Sequence, residues 1–401
     1  MAVEKRLLSG DEAIALGAWE AGAVCGFGYP GTPSTEILEA FAVLKGVYAE
    51  WSINEKVALE AATGASLGGA RALVTMKHVG LNVALDAFVT LAYTGINSGL
   101  VVAVADDPGM HSSQNEQDSR YMGKLSYAPV IEPASPAEAR EFIKKAYDLS
   151  EEFDLPVLFR ITTRVAHSRG SVEFDMSITP EQHKKTLNVP WDKYVMMPLN
   201  AKKRRIVLVD KYEKLKKLAE TTELNRIEMA QTDTGIITSG VAYEYVKEVF
   251  PEKSVLKLGL LNPLPEGKIR EFASKVKKLY IVEELEPYIE EFVKSLGIAC
   301  VGKEKVPLID ELSPDVLREA FFGAREKKKK SEVTPPGRPP QLCEGCSYRV
   351  VFDSLRRLKC IVAGDIGCYT LGSLPPFEAI DSCVCMGASI GVGLGLRHVL
   401  P

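Results

Sequence analysis

The sequence predicts an α/β protein of more than one domain, built on doubly wound, mainly parallel sheets. Three observations carry this. From Ser9 to about Thr163 strand-like and helix-like runs alternate across short connections. Runs such as Leu100-Val101-Val102-Ala103-Val104 are apolar throughout, which calls for helices on both faces of the sheet. Finally, 401 residues at about 150 per domain leave room for two or three separate cores.

Taken in order, Asp11 to Ala21 carries the apolar stripe Ala13, Ile14, Leu16 and Trp19 and reads as a helix. Ala23 to Tyr29 is the first strand, Pro33 to Leu44 a helix, and Val47 to Ile53 the second strand. The helix Glu55 to Gly68 is rich in small residues for close packing, and Arg71 to Met76 is a strand. Helix Val83 to Tyr93 leads to strand Leu100 to Ala105, and helix Pro136 to Phe153 to strand Pro156 to Ile161. Residues 168–200 have weak periodicity and three prolines, and read as a connector. A second α/β unit follows, with strands at Gly235 to Thr238, Val255 to Leu261 and Lys278 to Val282, and helices at Ala242 to Phe250, Glu266 to Val276 and Pro287 to Leu296. The run Lys327 to Lys330 and the proline-rich Pro335 to Pro340 form a solvated, stiff linker. Beyond it come helix Tyr348 to Leu358, strand Lys359 to Ala363 and a glycine-rich helix, too little to cover both faces of a sheet; the chain is expected to stop inside a third α/β domain.

Composition narrows the function. Forty-nine basic against fifty-three acidic residues give a net charge of −4 and no footprint for nucleic acid. The most apolar long stretch, 84–105, contains Asp86, Asn97 and Ser98 and is no membrane span. No leader-like segment opens the chain, so a cytoplasmic protein is expected. Six of the eight cysteines lie between Cys343 and Cys385, which suggests metal or redox chemistry rather than disulfides. Cys25, Cys300 and Cys360 sit in apolar surroundings and read as core.

Four segments could carry chemistry. Gly28-Tyr29-Pro30-Gly31-Thr32-Pro33-Ser34 joins a strand to a helix. Thr32 or Ser34 can cap that helix, and its free N–H groups favour an anion such as a carboxylate; a plain capped turn is the simpler alternative. Glu55 stands where a strand ends and a helix begins. It either complements the helix dipole or is a semi-buried acid at the carboxyl edge of the sheet, with a pKa raised by Ile53, Val57 and Leu59. Asp106 to Arg120 is a polar loop richer in hydrogen-bonding groups than a connection needs, and its His111 is either a surface or a substrate-facing histidine. Cys343-Glu344-Gly345-Cys346 admits half a zinc site, a redox pair or two cluster ligands; Cys368 tips the set toward a cluster.

Together, GYPGTPSTEI (28–37), WSINEKVALEAATGAS (51–66), VTMKHVGLN (74–82), ADDPGMHSSQNEQDSR (105–120), LNPLPEGKI (261–269), LCEGCSYR (342–349), GDIGCYTLGSLPP (364–376) and CVCMGASIG (383–391) resemble the alpha subunits of indolepyruvate ferredoxin oxidoreductases. These belong to the thiamine-diphosphate-dependent 2-oxoacid:ferredoxin oxidoreductases. The resemblance implies a pyrimidine-binding domain over 1–167, a connector over 168–200 and a transketolase C-terminal-like domain over 201–325. It places a linker at 326–340 and the start of a diphosphate-binding domain, incomplete, at 341–401. It implies thiamine diphosphate between the first and last domains, with Mg2+ and [4Fe-4S] clusters. Glu55 matches the catalytic glutamate that hydrogen-bonds the aminopyrimidine; a desolvated carboxyl there favours the imino form that removes the thiazolium proton. Thr32, in the position of the family's YPxTP threonine, matches the contact for the 2-oxoacid carboxylate, and Gly367, Cys368, Met386, Gly387 and Ala388 fall on the diphosphate side; His111 and Arg120 of the polar loop are read as further substrate-binding residues. Relatives often carry His-Gly-Arg where this chain has Met386-Gly387-Ala388, so charged contacts are absent there. Cys343, Cys346 and Cys368 match cluster ligands, with Cys383 or Cys385 as the open choice for a fourth.

The implied reaction is oxidative decarboxylation of an aryl 2-oxoacid to its acyl-coenzyme A, electrons passing to ferredoxin, in a complex with a smaller beta subunit. Two rivals stay open on sequence alone: a non-oxidative 2-oxoacid decarboxylase, and a truncated chain that only docks a partner.

Overall fold

The computed structural model describes residues 3–175, 187, 190–323 and 340–400. The linker 326–340, apart from Pro340, and the lysine run lie outside the described residues. The chain divides into two compact units, Met1–Glu326 and Lys327–Pro401.

In the first unit the described strands are β1 Val3–Ser9, β2 Cys25–Gly28, β3 Tyr48–Trp51, β4 Ala72–Lys77, β5 Leu100–Asp106, β6 Val130–Ile131, β7 Val157–Thr162, β8 Arg169–Asp175, β9 Arg226–Glu228, β10 Gln231–Ser239, β11 Lys253–Leu258, β12 Leu260–Asn262 and β13 Leu279–Val282. A seven-stranded sheet runs β12-β6-β7-β5-β4-β2-β3, and every pair in it is parallel except β12 with β6. Strands β4, β5 and β7 are buried from end to end. The two-residue alternation explains why: Val101, Ala103 and Ala105 of β5 enter one core with helices Gly10–Glu20 and Pro136–Phe153, while Leu100, Val102 and Val104 enter another with helices Glu55–Leu67 and His78–Thr94. The parallel, helix-covered sheet expected from the apolar runs is therefore present.

The second sheet runs β13-β10-β11-β9 with only β9 antiparallel. Ile237, Leu256 and Ile281 join the core beneath helix His78–Thr94, whereas Ile236, Val255 and Val282 pack with helix Gly240–Val249. β12, from this later stretch of chain, closes the edge of the first sheet: Leu260 pairs with Ile131 and Asn262 with Val130. Asn262 Nδ2 then donates to the Ala128 carbonyl at 2.6 Å and the Gly123 carbonyl at 3.1 Å. One strand thus covers an exposed edge and ties the two sheets into a single unit.

The structure differs from the sequence reading at several places, among them the following. Residues 169–175, read as connector, form β8, paired antiparallel with β1 from Val3↔Asp175 to Ser9↔Arg169. Neither segment announces this, because the partner lies at the other end of the unit. Helix Pro198–Thr221 went unread because its stripe is thin: only Asn200, Leu208, Leu215 and Ala219 are buried along 24 residues. In the second unit the strand expected at 359–363 shrinks to Ala363–Gly364, since Lys359 turns the chain in a left-handed conformation (φ 52°) after helix Ser347–Leu358. Cys360 is consequently exposed rather than core.

The second unit has a small core of Leu342, Phe352 and Ala379 and a parallel pair, β14 Ala363–Gly364 with β15 Ser382–Cys383. Among the described residues no helix is long and apolar enough to cross a membrane.

Candidate functional site

Parallel strands point their carboxyl ends one way, so β2, β3, β4, β5 and β7 all deliver their following loops to one edge of the sheet. Glu55 enters from the β3 loop. Asn54 caps its helix, accepting from Val57 N–H at 2.9 Å, which contributes about 1 kcal/mol and fixes Glu55 as the first helical residue. Glu55 is only 4% exposed, and burial raises its pKa, its own backbone N–H pulling weakly the other way. Leu59 is buried beside it on the helix, but Ile53 is exposed and adds nothing to the desolvation.

What holds the carboxyl in place is a glycine. A Cβ at Gly80 would lie 2.5 Å from Glu55 Cγ and 2.6 Å from Oε1, so the side chain rests directly on the backbone of helix His78–Thr94. Gly80→Ala must displace Glu55. We expect turnover of the intact enzyme to fall by roughly 10²-fold with little change in thermal midpoint; wild-type turnover in this variant would show that the position of Glu55 is not critical.

Two residues of this edge, Lys77 and His78, close β4 and were not singled out by the sequence. The available signal was a lysine at the last position of an otherwise apolar strand. Lys77 Nζ donates to the Ser112 carbonyl at 2.6 Å and to Ser112 Oγ at 3.1 Å. Burial lowers its pKa, and the Asp107 charge only partly restores it. Asp107 accepts from Ser112 N–H (2.9 Å), Ser113 Oγ (2.5 Å) and Thr163 Oγ1 (2.7 Å). Burial alone would raise its pKa; these hydrogen bonds and Lys77 outweigh it and hold the carboxylate low. His78 Nε2 faces two oxygens of Asn115, the carbonyl at 3.2 Å and Oδ1 at 3.1 Å, so Nε2 carries the proton. Among the described residues His78 Nδ1 is buried and without a hydrogen-bond partner, as is Thr75 Oγ1 on β4.

Thr32 is exposed, and its carbonyl accepts from Ser112 Oγ at 3.0 Å, which links the Thr32 loop to the 107–119 loop and so to Lys77. The capping expected of Thr32 or Ser34 is not what forms. The helix starts at Thr35, Ser34 Oγ donates back to Gly31 O, and the peptide Thr32-Pro33 is cis. His111 lies exposed at the loop tip, 3.9 Å from Glu311 Oε2.

Arg120 needs correcting as a substrate-binding residue. It has no exposed surface. Its Nε donates to Asp118 at 2.8 and 2.9 Å, Nη1 to Glu283 at 2.6 Å, and Nη2 to Asp118 and to the carbonyls of Glu284 and Glu286 at 3.0 Å each. With its donors spent inside the protein, it can offer a substrate carboxylate nothing; it is a brace between the polar loop and the second sheet.

In the second unit Asp365 accepts from Gly387 N–H (2.5 Å), Ser389 N–H (3.3 Å), Ser389 Oγ (2.8 Å) and Ile366 N–H (3.0 Å). This orders the segment Met386-Gly387-Ala388 at the head of helix Ala388–Val399, with Gly387 at φ 78°. Gly367 N–H is held by Thr370 Oγ1 at 3.2 Å, just before Cys368. Cys343 and Cys368 are exposed and Cys346 half-buried. Their thiols are not gathered within 4.8 Å as a single metal ion would need; the trio that does meet this spacing among the described residues lies elsewhere.

The sheet edge thus holds a desolvated carboxyl on a glycine backbone, and a buried imidazole nitrogen and hydroxyl without hydrogen-bond partners among the described residues. Residues 17–236 match the family model of the thiamine-diphosphate-binding domain of pyruvate flavodoxin/ferredoxin oxidoreductases. The chain is 41% identical to the indolepyruvate oxidoreductase subunit IorA of Archaeoglobus fulgidus, over 99% of this chain and 69% of that one. It is 42% identical to the subunit of the same name from Pyrococcus horikoshii, over 99% and 66%. It thus spans about two thirds of the length of these curated relatives. A solved 2-oxoglutarate:ferredoxin oxidoreductase from Magnetococcus marinus shares the fold, with a TM-score of 0.64 at 15% identity over 79% of this chain and 64% of that one. By sequence and fold together, the chain belongs to the family of IorA subunits of indolepyruvate oxidoreductase and carries the thiamine-diphosphate-binding domain of the 2-oxoacid oxidoreductases.

Proposed function

We propose that this chain is the thiamine-diphosphate-binding subunit of an indolepyruvate:ferredoxin oxidoreductase. The enzyme converts an aryl 2-oxoacid and coenzyme A to the aryl-acetyl-coenzyme A and carbon dioxide, and passes the two electrons to ferredoxin. It acts in the cytoplasm together with a smaller beta subunit, and uses Mg2+ and [4Fe-4S] clusters. The observation that carries this reading is Glu55, a buried acid with a raised pKa at the carboxyl edge of the sheet, in a chain of this family.

When bound, thiamine diphosphate supplies the carbon nucleophile and the electron sink for decarboxylation. The chain's own residues do the rest. Glu55 hydrogen-bonds the pyrimidine and selects the tautomer able to move a proton, a role that a carboxyl with a raised pKa fills better than a solvated carboxylate. Thr32 meets the substrate carboxylate, and His111, exposed on the loop, is a further substrate-binding residue. Gly367, Cys368, Met386, Gly387 and Ala388 line the diphosphate side, and Cys343, Cys346 and Cys368 ligate a cluster.

The test is reduction of a low-potential dye by indolepyruvate, using the native complex purified without oxygen. Reduction that requires coenzyme A is the expected result. Carbon dioxide release without dye reduction would establish a non-oxidative decarboxylase instead.

A further inference from the structure

Three side chains not used by the site just described converge from separate helices: Asp11 on Gly10–Glu20, Glu36 on Thr35–Ala42 and His167 on Thr163–His167. Each offers one ligand atom, and these atoms all lie within 4.8 Å of one another. Asp11 is the unusual member. It has no exposed surface, yet among the described residues neither carboxylate oxygen has a hydrogen-bond partner.

An aspartate in the first turn of a helix ordinarily accepts from the free N–H groups there. Here a capping box takes two of the N–H groups at this helix start. Ser9 Oγ accepts from Glu12 N–H at 3.1 Å, and Glu12 Oε2 accepts from Ser9 N–H at 2.7 Å. Asp11 accepts no hydrogen bond at the helix start, and Gly10 packs so tightly on the chain at Val165 that a Cβ would fall 2.1 Å from the Val165 carbonyl oxygen. Buried polar atoms without partners are rare and call for a missing ligand. His167 Nε2 stands 4.0 Å from Glu36 Oε2, so these two side chains already face one another beside Asp11. Burial, then the charges of Glu36 and Glu12, push the Asp11 pKa far up.

We propose that Asp11, Glu36 and His167 bind a divalent first-row transition ion of the zinc class. One imidazole nitrogen with two carboxylate oxygens is a donor set such an ion takes, leaving the fourth position to water. Bonds of about 2.0–2.2 Å place ligand atoms about 3.5 Å apart, so Glu36 and His167 close on Asp11 by up to about 1 Å, which their exposed side chains supply by rotation. Glu36 follows the Thr32 loop and His167 follows β7, so the ion would tie that loop's helix to the segment after β7.

The experiment is a cobalt(II) titration of the metal-stripped, full-length chain without oxygen. Cobalt on cysteine sulfur gives an intense charge-transfer absorption, whereas cobalt on nitrogen and oxygen gives only weak visible bands. The wild type is expected to take up one equivalent of the weak-band kind. Asp11→Asn and His167→Gln, which preserve shape and are checked for folding by thermal denaturation, should lose it or bind about tenfold or more weakly. If every bound cobalt shows sulfur charge transfer, or if both variants keep the weak-band equivalent, the site does not exist and Asp11 is simply a neutral buried acid.

Discussion

Glu55→Gln should lower indolepyruvate-dependent turnover by about 10²–10⁴-fold, the range that a positioned acid or base contributes, while leaving the fold intact. The glutamine keeps the shape that the Gly80 backbone cradles but cannot exchange a proton with the pyrimidine. The same substitution should make the protein more stable at neutral pH. The folded-state pKa of Glu55 is raised, so the folded protein holds this proton more tightly than the unfolded chain, and stability falls as pH rises through the interval between the two values. Above it the buried charge is a standing cost that glutamine removes. A gain of about 1–3 °C in thermal midpoint is expected at pH 8, shrinking to nothing near pH 4. Turnover within tenfold of wild type would make Glu55 a mere first-turn partner of the helix dipole.

Arg120→Met should cost about 3–5 kcal/mol of stability, a large part of the total of any domain. The loss is not mainly that of attraction. Asp118 is wholly buried; burial raises its pKa, but Arg120 and Arg160 outweigh this and keep it ionised. Without the guanidinium it keeps only the backbone N–H of residue 120 at 3.0 Å and Arg160 at 3.9 Å. Glu283 keeps the N–H groups of Ile289 and Glu290, and even with Arg120 present burial holds its pKa above the usual carboxylate range. Nearby Glu284, also buried, is pushed up to about 7. The site tolerates no further uncompensated charge. Arg120→Lys should recover part of the loss, because an ammonium restores the charge but not the planar set of donors. Urea denaturation of the intact chain measures both; a midpoint unchanged in Arg120→Met would show that these carboxyls are already neutral in the folded protein.

The Arg120 result also shows where sequence reading stops. In the linear chain Arg120 ends a polar loop beside a buried strand, which is where a substrate-binding arginine would be found. Its partner Glu283 is 163 residues away, and only the approach of the second sheet makes the arginine a brace. Lys77 and His78 were passed over for the converse reason. A lysine closing an apolar strand carries no meaning until Ser112 and Asp107 arrive from another loop to desolvate and hold it.

Sequence by itself determined what depends on neighbours in the chain. The fully apolar runs of β4, β5 and β7 require cover on both faces, since a buried strand must find apolar partners whichever way each residue points. The step from β3 through Asn54 to Glu55 is likewise local, a cap and a first turn written in consecutive residues. Tertiary structure alone decided the pairing of β1 with β8, the closing of the first sheet by β12, and the meeting of Asp11, Glu36 and His167. In each case the deciding free energy lies between segments far apart in the chain: a hydrogen-bond ladder, a covered edge, or a charge whose cost is set by what surrounds it. No local pattern records such a partner, because burial and charge compensation exist only once the chain has folded.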